Sequence, residues 1–346
     1  MRITIFCLLL LLSSTFLTAQ NKKQYRVGAI GFYNFENLFD IEDDPAIRDE
    51  EYTPNGSRNW TEELYQTKLD NLAKVVSEMG TDLTPDGMSL LGVSEVENRR
   101  VLEDFVIQPA VKKRNYQIVH FDSPDRRGID VALLYQPKYF KVEQAQAIPV
   151  EIFEGNGDRK YTRDVLFVSG KFDQDLIHVF VNHWPSRSGG AAASQAYRNA
   201  AAMEVKLVCD SLLLADPKAK IVIMGDLNDD PSSPSVKKVL NAKYKPKALK
   251  GPGFFNPMHA YFKKGIGTLA YRDAWNLFDQ IIISEGLLNS SESGYQYYKA
   301  QIFSPKYLYQ KTGNFKGYPF RTFGGNTYLG GYSDHFPVYI FLIKSV

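Results

Sequence analysis

Residues able to do chemistry recur in one setting along this chain, the point where a short apolar run stops. Residues 221–224 (Ile-Val-Ile-Met) empty through Gly225 into Asp226-Leu227-Asn228-Asp229-Asp230, and Pro231 ends the stretch. In extended chain, residues two apart share a face, so Asp226 and Asn228 are expected side by side at a strand end, with Gly225 permitting a close backbone approach. The run 27–34 ends in Asn34-Phe35-Glu36, and the run 89–96 carries Glu95. Arg126-Arg127-Gly128-Ile129-Asp130 precedes an apolar run at 131–135, and 177–183 gives way to His183-Trp184-Pro185-Ser186-Arg187 and a Gly-rich loop. Asp279 interrupts an otherwise apolar stretch, and Asp334-His335 stands just before the last one, 338–343. Any one of these alone reads as an ordinary turn. Together they offer oxygen ligands for a hard divalent cation, imidazoles for proton transfer, and guanidiniums at Arg127 and Arg187 for phosphate.

The elements that must hold these groups follow from periodicity. Apolar runs without alternation suit strands covered on both faces, which applies to 27–34, 89–96, 165–171, 177–183 and 221–226. Between them, Asn59 or Thr61 can cap a helix running to about residue 79 with Leu69, Leu72, Val76 and Met79 on its buried face, and 194–214 predicts a second long helix. A carboxylate inside an apolar strand is costly unless paired, and His335 is the natural partner for Asp279, since a buried Asp fixes the tautomer of an imidazole. Asp130 is placed to orient His183 in the same way. The acidic loop 41–54 lacks the ligand spacing of an EF-hand and is expected to be solvated.

Composition is that of an ordinary globular protein: 346 residues, 44% apolar and 23% charged, without repeats. Residues 1–19 have a basic start at Arg2, an apolar stretch and a small-residue end at Ala19, the pattern of a cleaved secretory signal, and 20–346 then form one catalytic domain. Export to the periplasm or the medium is the expectation, with no stable membrane span. Cys7 lies in the signal, so Cys209 has no partner for an intramolecular disulfide. With 41 basic and 39 acidic residues, overall charge gives no attraction for polyanions, and any such attraction must be local.

The ordered set Asn34, Glu95, His183, Asp226, Asn228, Asp279, Asp334 and His335 resembles the DNase-I-like endonuclease/exonuclease/phosphatase superfamily, most specifically in Gly225-Asp226-Leu227-Asn228 and Ser333-Asp334-His335. The resemblance implies an α/β (α+β) four-layer sandwich, two face-packed mixed β-sheets flanked by helices. It implies that Glu95, with Asn34, Glu36 and Asp334, holds Mg²⁺ or Mn²⁺, with Ca²⁺ as a further candidate. It also implies that Asp226 activates water, that Asn228 orients the water or the phosphate, and that the Asp279–His335 pair stabilises the transition state or protonates the leaving oxygen. His183 resembles the second histidine of the DNase-like and sphingomyelinase-like members.

These expectations point to an exported monomeric phosphodiesterase acting on nucleic acid. A segment without acidic residues, 295–332, interleaves Tyr and Phe with Lys299, Lys306, Lys311, Lys316 and Arg321. It reads equally as a stacking surface for single strands and as strand core with lysines outside. A sphingomyelinase-like enzyme, acting on a lipid headgroup with the same aromatics dipping into a membrane, is the alternative within enzymes. An inositol polyphosphate phosphatase ranks lower, because Asn276-Leu277-Phe278-Asp279-Gln280 replaces the Trp-Cys-Asp-Arg of that branch. A catalytically inactive exported binding protein is the alternative of another class.

Overall fold

The computed structural model describes residues 24–288 and 294–346, so the expected signal over 1–19 lies outside the described residues. In chain order, β1 (Tyr25–Leu38) leads to α1 (Glu62–Glu78), β2 (Leu90–Val96), α2 (Arg99–Val106), β3 (Gln117–His120) and β4 (Asp130–Tyr135). Next come β5 (Phe140–Ile148), a small hairpin of β6 (Ile152–Phe153) and β7 (Arg159–Lys160), β8 (Val165–Phe172), β9 (Asp175–His183), α3 (Gln195–Ala215) and β10 (Lys220–Asp226). The last part holds β11 (Phe254–Phe255), the hairpin β12 (Leu269–Tyr271) and β13 (Ala274–Asn276), and β14 (Asp279–Ser284). It closes with β15 (Gln296–Ile302), the pair β16 (Phe323–Gly324) and β17 (Thr327–Tyr328), and β18 (Val338–Ser345).

Two six-stranded sheets result, ordered β15-β18-β1-β2-β4-β3 and β11-β14-β10-β9-β8-β5. Both are mixed, and each has one parallel pair near its centre, β1 with β2 and β9 with β10. Parallel neighbours need a crossover, which α1 supplies in the first sheet and α3 in the second.

Alternation along the central strands sorts the core into three layers. Val222 and Met224 face the first sheet and meet Ile30, Phe32 and Leu90 between the sheets. Ile221 and Ile223 point the other way, onto Ala201, Val205 and Cys209 of α3. On the outer side of the first sheet, Leu69, Leu72 and Val76 of α1 cover Ala29, Tyr33 and Val93. Each such fully buried side chain contributes about 1.5–3 kcal/mol, so the stack of helix, sheet, sheet and helix is held by three apolar seams. Thr61 caps α1, its hydroxyl accepting from the Leu64 N–H, with Glu62 and Glu63 in the positive first turn. Among the described residues no helix is long and apolar enough to cross a membrane.

The 295–332 segment spends most of its rings on packing. Leu308 and Phe323 are in the outer core of the first sheet with Tyr307, Tyr309, Tyr328 and Tyr332 against it, and Tyr298 is the one exposed ring among its described aromatics. The acidic loop 41–54 is solvated at Glu42, Asp43, Asp44, Glu50 and Glu51, whereas Asp49 is buried and accepts from the Asp44 N–H.

Candidate active site

Register, more than loop geometry, assembles one half of the site. β9, β10 and β14 lie side by side, with His183 opposite Asp226 and Asp226 opposite Asp279. Asp226 continues the face of Val222 and Met224, so its carboxylate emerges at the rim between the sheets, where the carboxyl end of a parallel pair commonly binds ligands. Gly225 is needed here: its φ is 153°, and a Cβ would stand 2.2 Å from the Asn182 carbonyl oxygen. His335, entering from just before β18, places Nδ1 2.7 Å from Asp279 Oδ2. Its Nε2 lies 3.9 Å from Asp226 Oδ2 and 3.9 Å from Asp334 Oδ1.

The first sheet supplies the other half by breaking its own pattern. β1 and β2 pair as far as Asn34 and Ser94, and then the register shifts. The same shift occurs between β2 and β4, which leaves Glu95 outside both ladders with φ at 58°. Such a bulge re-aims a side chain. Glu95 Oε1 accepts from Asn34 Nδ2 at 3.1 Å and Oε2 from the Asn37 N–H at 3.0 Å. Asn34 Nδ2 also donates to Asp226 Oδ2 at 3.2 Å, so one amide joins a carboxylate from each sheet. His183 Nε2 lies 3.7 Å from both Glu95 Oε1 and Asp226 Oδ2.

The charges are uneven. Burial, together with Asp279 and Glu95, pushes the Asp226 carboxyl up to about 7 against the pull of His335. Burial and the guanidiniums of Arg163 and Arg127 hold His183 well below the usual imidazole range. Burial would lower His335 as well, but Asp279, Asp226 and Asp334 outweigh it and raise it well above that range. A neutral imidazole thus stands on one side of Asp226 and a cationic one on the other. Glu95 and Asp226 have no Lys or Arg partner among the described residues, while Glu95, His183 and Asp226 offer ligand atoms within 4.8 Å of one another. Oxygen donors of unmatched negative charge suit a hard divalent cation.

The family profile described as Endonuclease/Exonuclease/phosphatase family matches residues 29–344. The chain belongs to that family. Endonuclease/exonuclease/phosphatase proteins are metal-dependent phosphoric ester hydrolases, and the fold above is theirs. Solved structures similar in fold include D. rerio TDP2 complexed with single strand DNA product, with a TM-score of 0.53, 12% identity, and 91% of this chain and 98% of that chain covered. A family protein from Bacteroides thetaiotaomicron gives 0.54 at 12% identity, covering 94% and 98%. The Bacteroides thetaiotaomicron mannosyl-6-phosphatase Bt3783 gives 0.52 at 14%, covering 91% and 99%. At these identities the likeness is one of fold. No curated protein matches the chain in sequence.

Within this family site, Asn34, Glu95, His183, Asp226, Asp279 and His335 come together, with Asp334 at the edge, 3.3 Å from Arg321 Nη2. Other expected members stand elsewhere. Asp130 does not orient His183: its carboxylate is 3.0 Å from His120 Nε2 and accepts from the Ser123 N–H and hydroxyl, because β4 pairs with β3 and brings His120 across. Among the described residues His183 Nδ1 has no hydrogen-bond partner. Glu36 turns away from the cation ligands at φ 48°, accepts from Thr322 N–H and Oγ1, and faces the buried Lys68 ammonium at 3.6 Å. Asn228 does not share the face of Asp226, since its φ of 48° ends the extended chain. Its N–H donates to Asp226 Oδ1 at 2.9 Å and its amide to the Trp184 carbonyl at 2.9 Å, so it supports the loop. Arg187 is occupied by the Asn228 carbonyl, Asp229, Asp230 and the Phe278 ring, which leaves it unsuited to phosphate. Arg127 keeps a half-exposed side chain, with Nε 3.3 Å from Asp125.

Sequence reasoning missed Arg163 and Asp125. Arg163 is buried and donates Nε to the His183 carbonyl, Nη2 to that of Trp184 and Nη1 to Asp125 Oδ2, which locks the strand end presenting His183. Its position in Tyr161-Thr162-Arg163-Asp164, before a strand, gives no spacing signal for this.

Proposed function

We propose that this family member is an exported, divalent-cation-dependent phosphodiesterase that hydrolyses nucleic acid. The observation that carries the reading is the position of Asp226 as a hub, joined by Asn34 to Glu95 and set between the imidazoles of His183 and His335. Glu95, Asp226 and His183, with Asn34 behind them, are the residues that would hold Mg²⁺ or Mn²⁺. When bound, such a cation neutralises charge on a phosphate oxygen. Asp226 takes the proton of the attacking water. Cationic His335, fixed at Nδ1 by Asp279, presents its Nε2 proton toward the leaving oxygen, and neutral His183, facing Glu95 and Asp226 through Nε2, would offer that lone pair to the cation. Positioned proton transfer of this kind contributes typically about 10²–10⁴-fold.

Nucleic acid is supported by the signal-like residues 1–19 and by the fold's likeness to a TDP2 captured with single strand DNA product. The test is hydrolysis of single- and double-stranded DNA, RNA, sphingomyelin and bis-p-nitrophenyl phosphate in Mg²⁺, Mn²⁺ or EDTA, beside Asp226→Ala and His335→Ala. Chelator-sensitive nucleic-acid cleavage lost in both variants is expected. Turnover of sphingomyelin alone would overturn the substrate, and no turnover of anything would overturn the enzyme.

A further inference from the structure

On either side of the 123–130 loop the surface carries opposite charge. One side is a cavity of about 530 Å³ lined by seven carboxylates against the single cation Arg100. The other is a groove of about 760 Å³ whose cations are Arg48, Arg126, Arg127, Arg159, Lys160 and Arg163, against three carboxylates. Of those three, Asp125 is bonded to Arg163 and Arg127, and Glu154 lies 3.4 Å from Lys160. Among the described residues, the side chains of Arg48 and Arg126 have no carboxylate partner, and Arg159 lies 3.0 Å from Glu151 in a solvent-exposed pair of the kind that contributes little and yields to a phosphate. The groove's volume falls in the ordinary range for ligand sites, about 300–1,000 Å³.

Its position ties it to the chemistry. Arg163 forms part of its lining and donates to the His183 carbonyl, and Pro185 and Ser186 line it immediately downstream of the His183-Trp184 strand end. A chain of phosphates centred on the site is repelled by the acidic cavity and attracted by the groove, so one direction is favoured for the strand. The groove also contains rings. Tyr161 is 45% exposed, and the guanidiniums of Arg126 and Arg159 lie 5.7 and 5.5 Å from its centroid. Tyr197 lines the same space, with Lys160 5.7 Å from its centroid. Thr162 lines the same space, 3% exposed, with a hydroxyl that has no hydrogen-bond partner among the described residues.

We propose that this groove binds the nucleotides flanking the scissile bond of a single-stranded nucleic acid, Arg126 and Arg159 meeting phosphates and Tyr161 stacking on an unpaired base. Stacking platforms set among cations are how single strands are held without a base code, and a base inside a duplex has both faces stacked on its neighbours and none to offer the ring. The inference rests on the nuclease reading above, and it moves the binding surface from the 295–332 segment to the opposite flank of His183.

The test compares wild type with Arg126→Glu/Arg159→Glu and with Tyr161→Ala, measuring kcat/KM for a single-stranded oligonucleotide, a duplex and bis-p-nitrophenyl phosphate at two salt concentrations. Charge reversal is expected to lower oligonucleotide kcat/KM by at least about 10-fold and to flatten its salt dependence by roughly 0.7 in log–log slope per lost phosphate contact. Tyr161→Ala is expected to cost about 5-fold or more on the single strand and little on the duplex. Both variants should keep wild-type turnover of the small diester, which shows that they fold. Oligonucleotide turnover equal to that of an active wild type overturns the groove and leaves the nuclease reading standing. An equal loss on small diester and oligonucleotide overturns the groove as a separate binding surface, and an equal Tyr161→Ala loss on duplex overturns the single-strand assignment. A wild type that hydrolyses the small diester and no nucleic acid overturns the reading beneath it.

Discussion

On the second sheet His183, Asp226 and Asp279 arrive as a row across three hydrogen-bonded strands, whereas on the first sheet Asn34 and Glu95 reach the same point by leaving the ladder. A row is positioned by the sheet itself and adds little strain beyond Gly225. The first-sheet side is held by a bulge, with Glu36, Asn37 and Glu95 all at positive φ, at a cost on the order of 1–3 kcal/mol each. The difference suggests a division of labour in which the stiff row carries proton transfer and shares the cation with the strained bulge.

The sharpest way to break that division is Asp226→Asn. Turnover should fall at least about 10³-fold and should not return with added metal, while the melting temperature holds or rises because a buried carboxylate has become neutral. Glu95→Gln should behave differently, needing about 10–100-fold more Mn²⁺ for half-maximal turnover but recovering activity at saturation. If both variants respond to metal alike, the two halves do not divide the work.

The Asp279–His335 pair tests the row through pH. A histidine whose folded pKa is raised contributes stability that is fully present below its unfolded pKa, about 6.5, and lost as pH rises through the folded value. In chelator, the stability gap between wild type and Asp279→Asn should therefore be widest below about pH 6.5 and shrink toward alkaline pH. A gap that widens with pH would show that Asp279 does not hold the proton on His335. The smallest effect is expected from Lys311→Glu/Lys316→Glu, within about 2-fold on oligonucleotide kcat/KM, because most rings around those exposed lysines are committed to packing. A larger loss there than in the cationic groove would reverse the assignment of the binding face.

The row was the legible part of the site. Unbroken apolar runs of strand length ending in Asp226 and His183 read as strands covered on both faces, and an Asp279 amid apolar neighbours requires a partner such as His335. The individual strands and the helices α1 and α3 followed from the same patterns, and their arrangement as two face-packed sheets from the family resemblance. What was not legible depends on broken periods and on neighbours distant in sequence. Asn228 and Glu36 leave the expected face because αL residues end the alternation, which no spacing announces. Asp130 turns to His120 because β3 pairs with β4, and Arg187 looks free in a Gly-rich loop until the fold lays it across Asp229 and Asp230. Arg163 shows the same limit, being an arginine ahead of a strand by sequence and a buried clamp on His183 by fold.

Whether carboxylates from both sheets share one divalent cation is decided by calorimetric titration of Mn²⁺ into chelator-stripped wild type, Glu95→Gln and Asp226→Asn. Wild type should bind, and each substitution, on either sheet alone, should weaken binding by at least about 10-fold. Binding untouched by one of the two substitutions would contradict it, because the cation would then belong to one sheet alone or to another place.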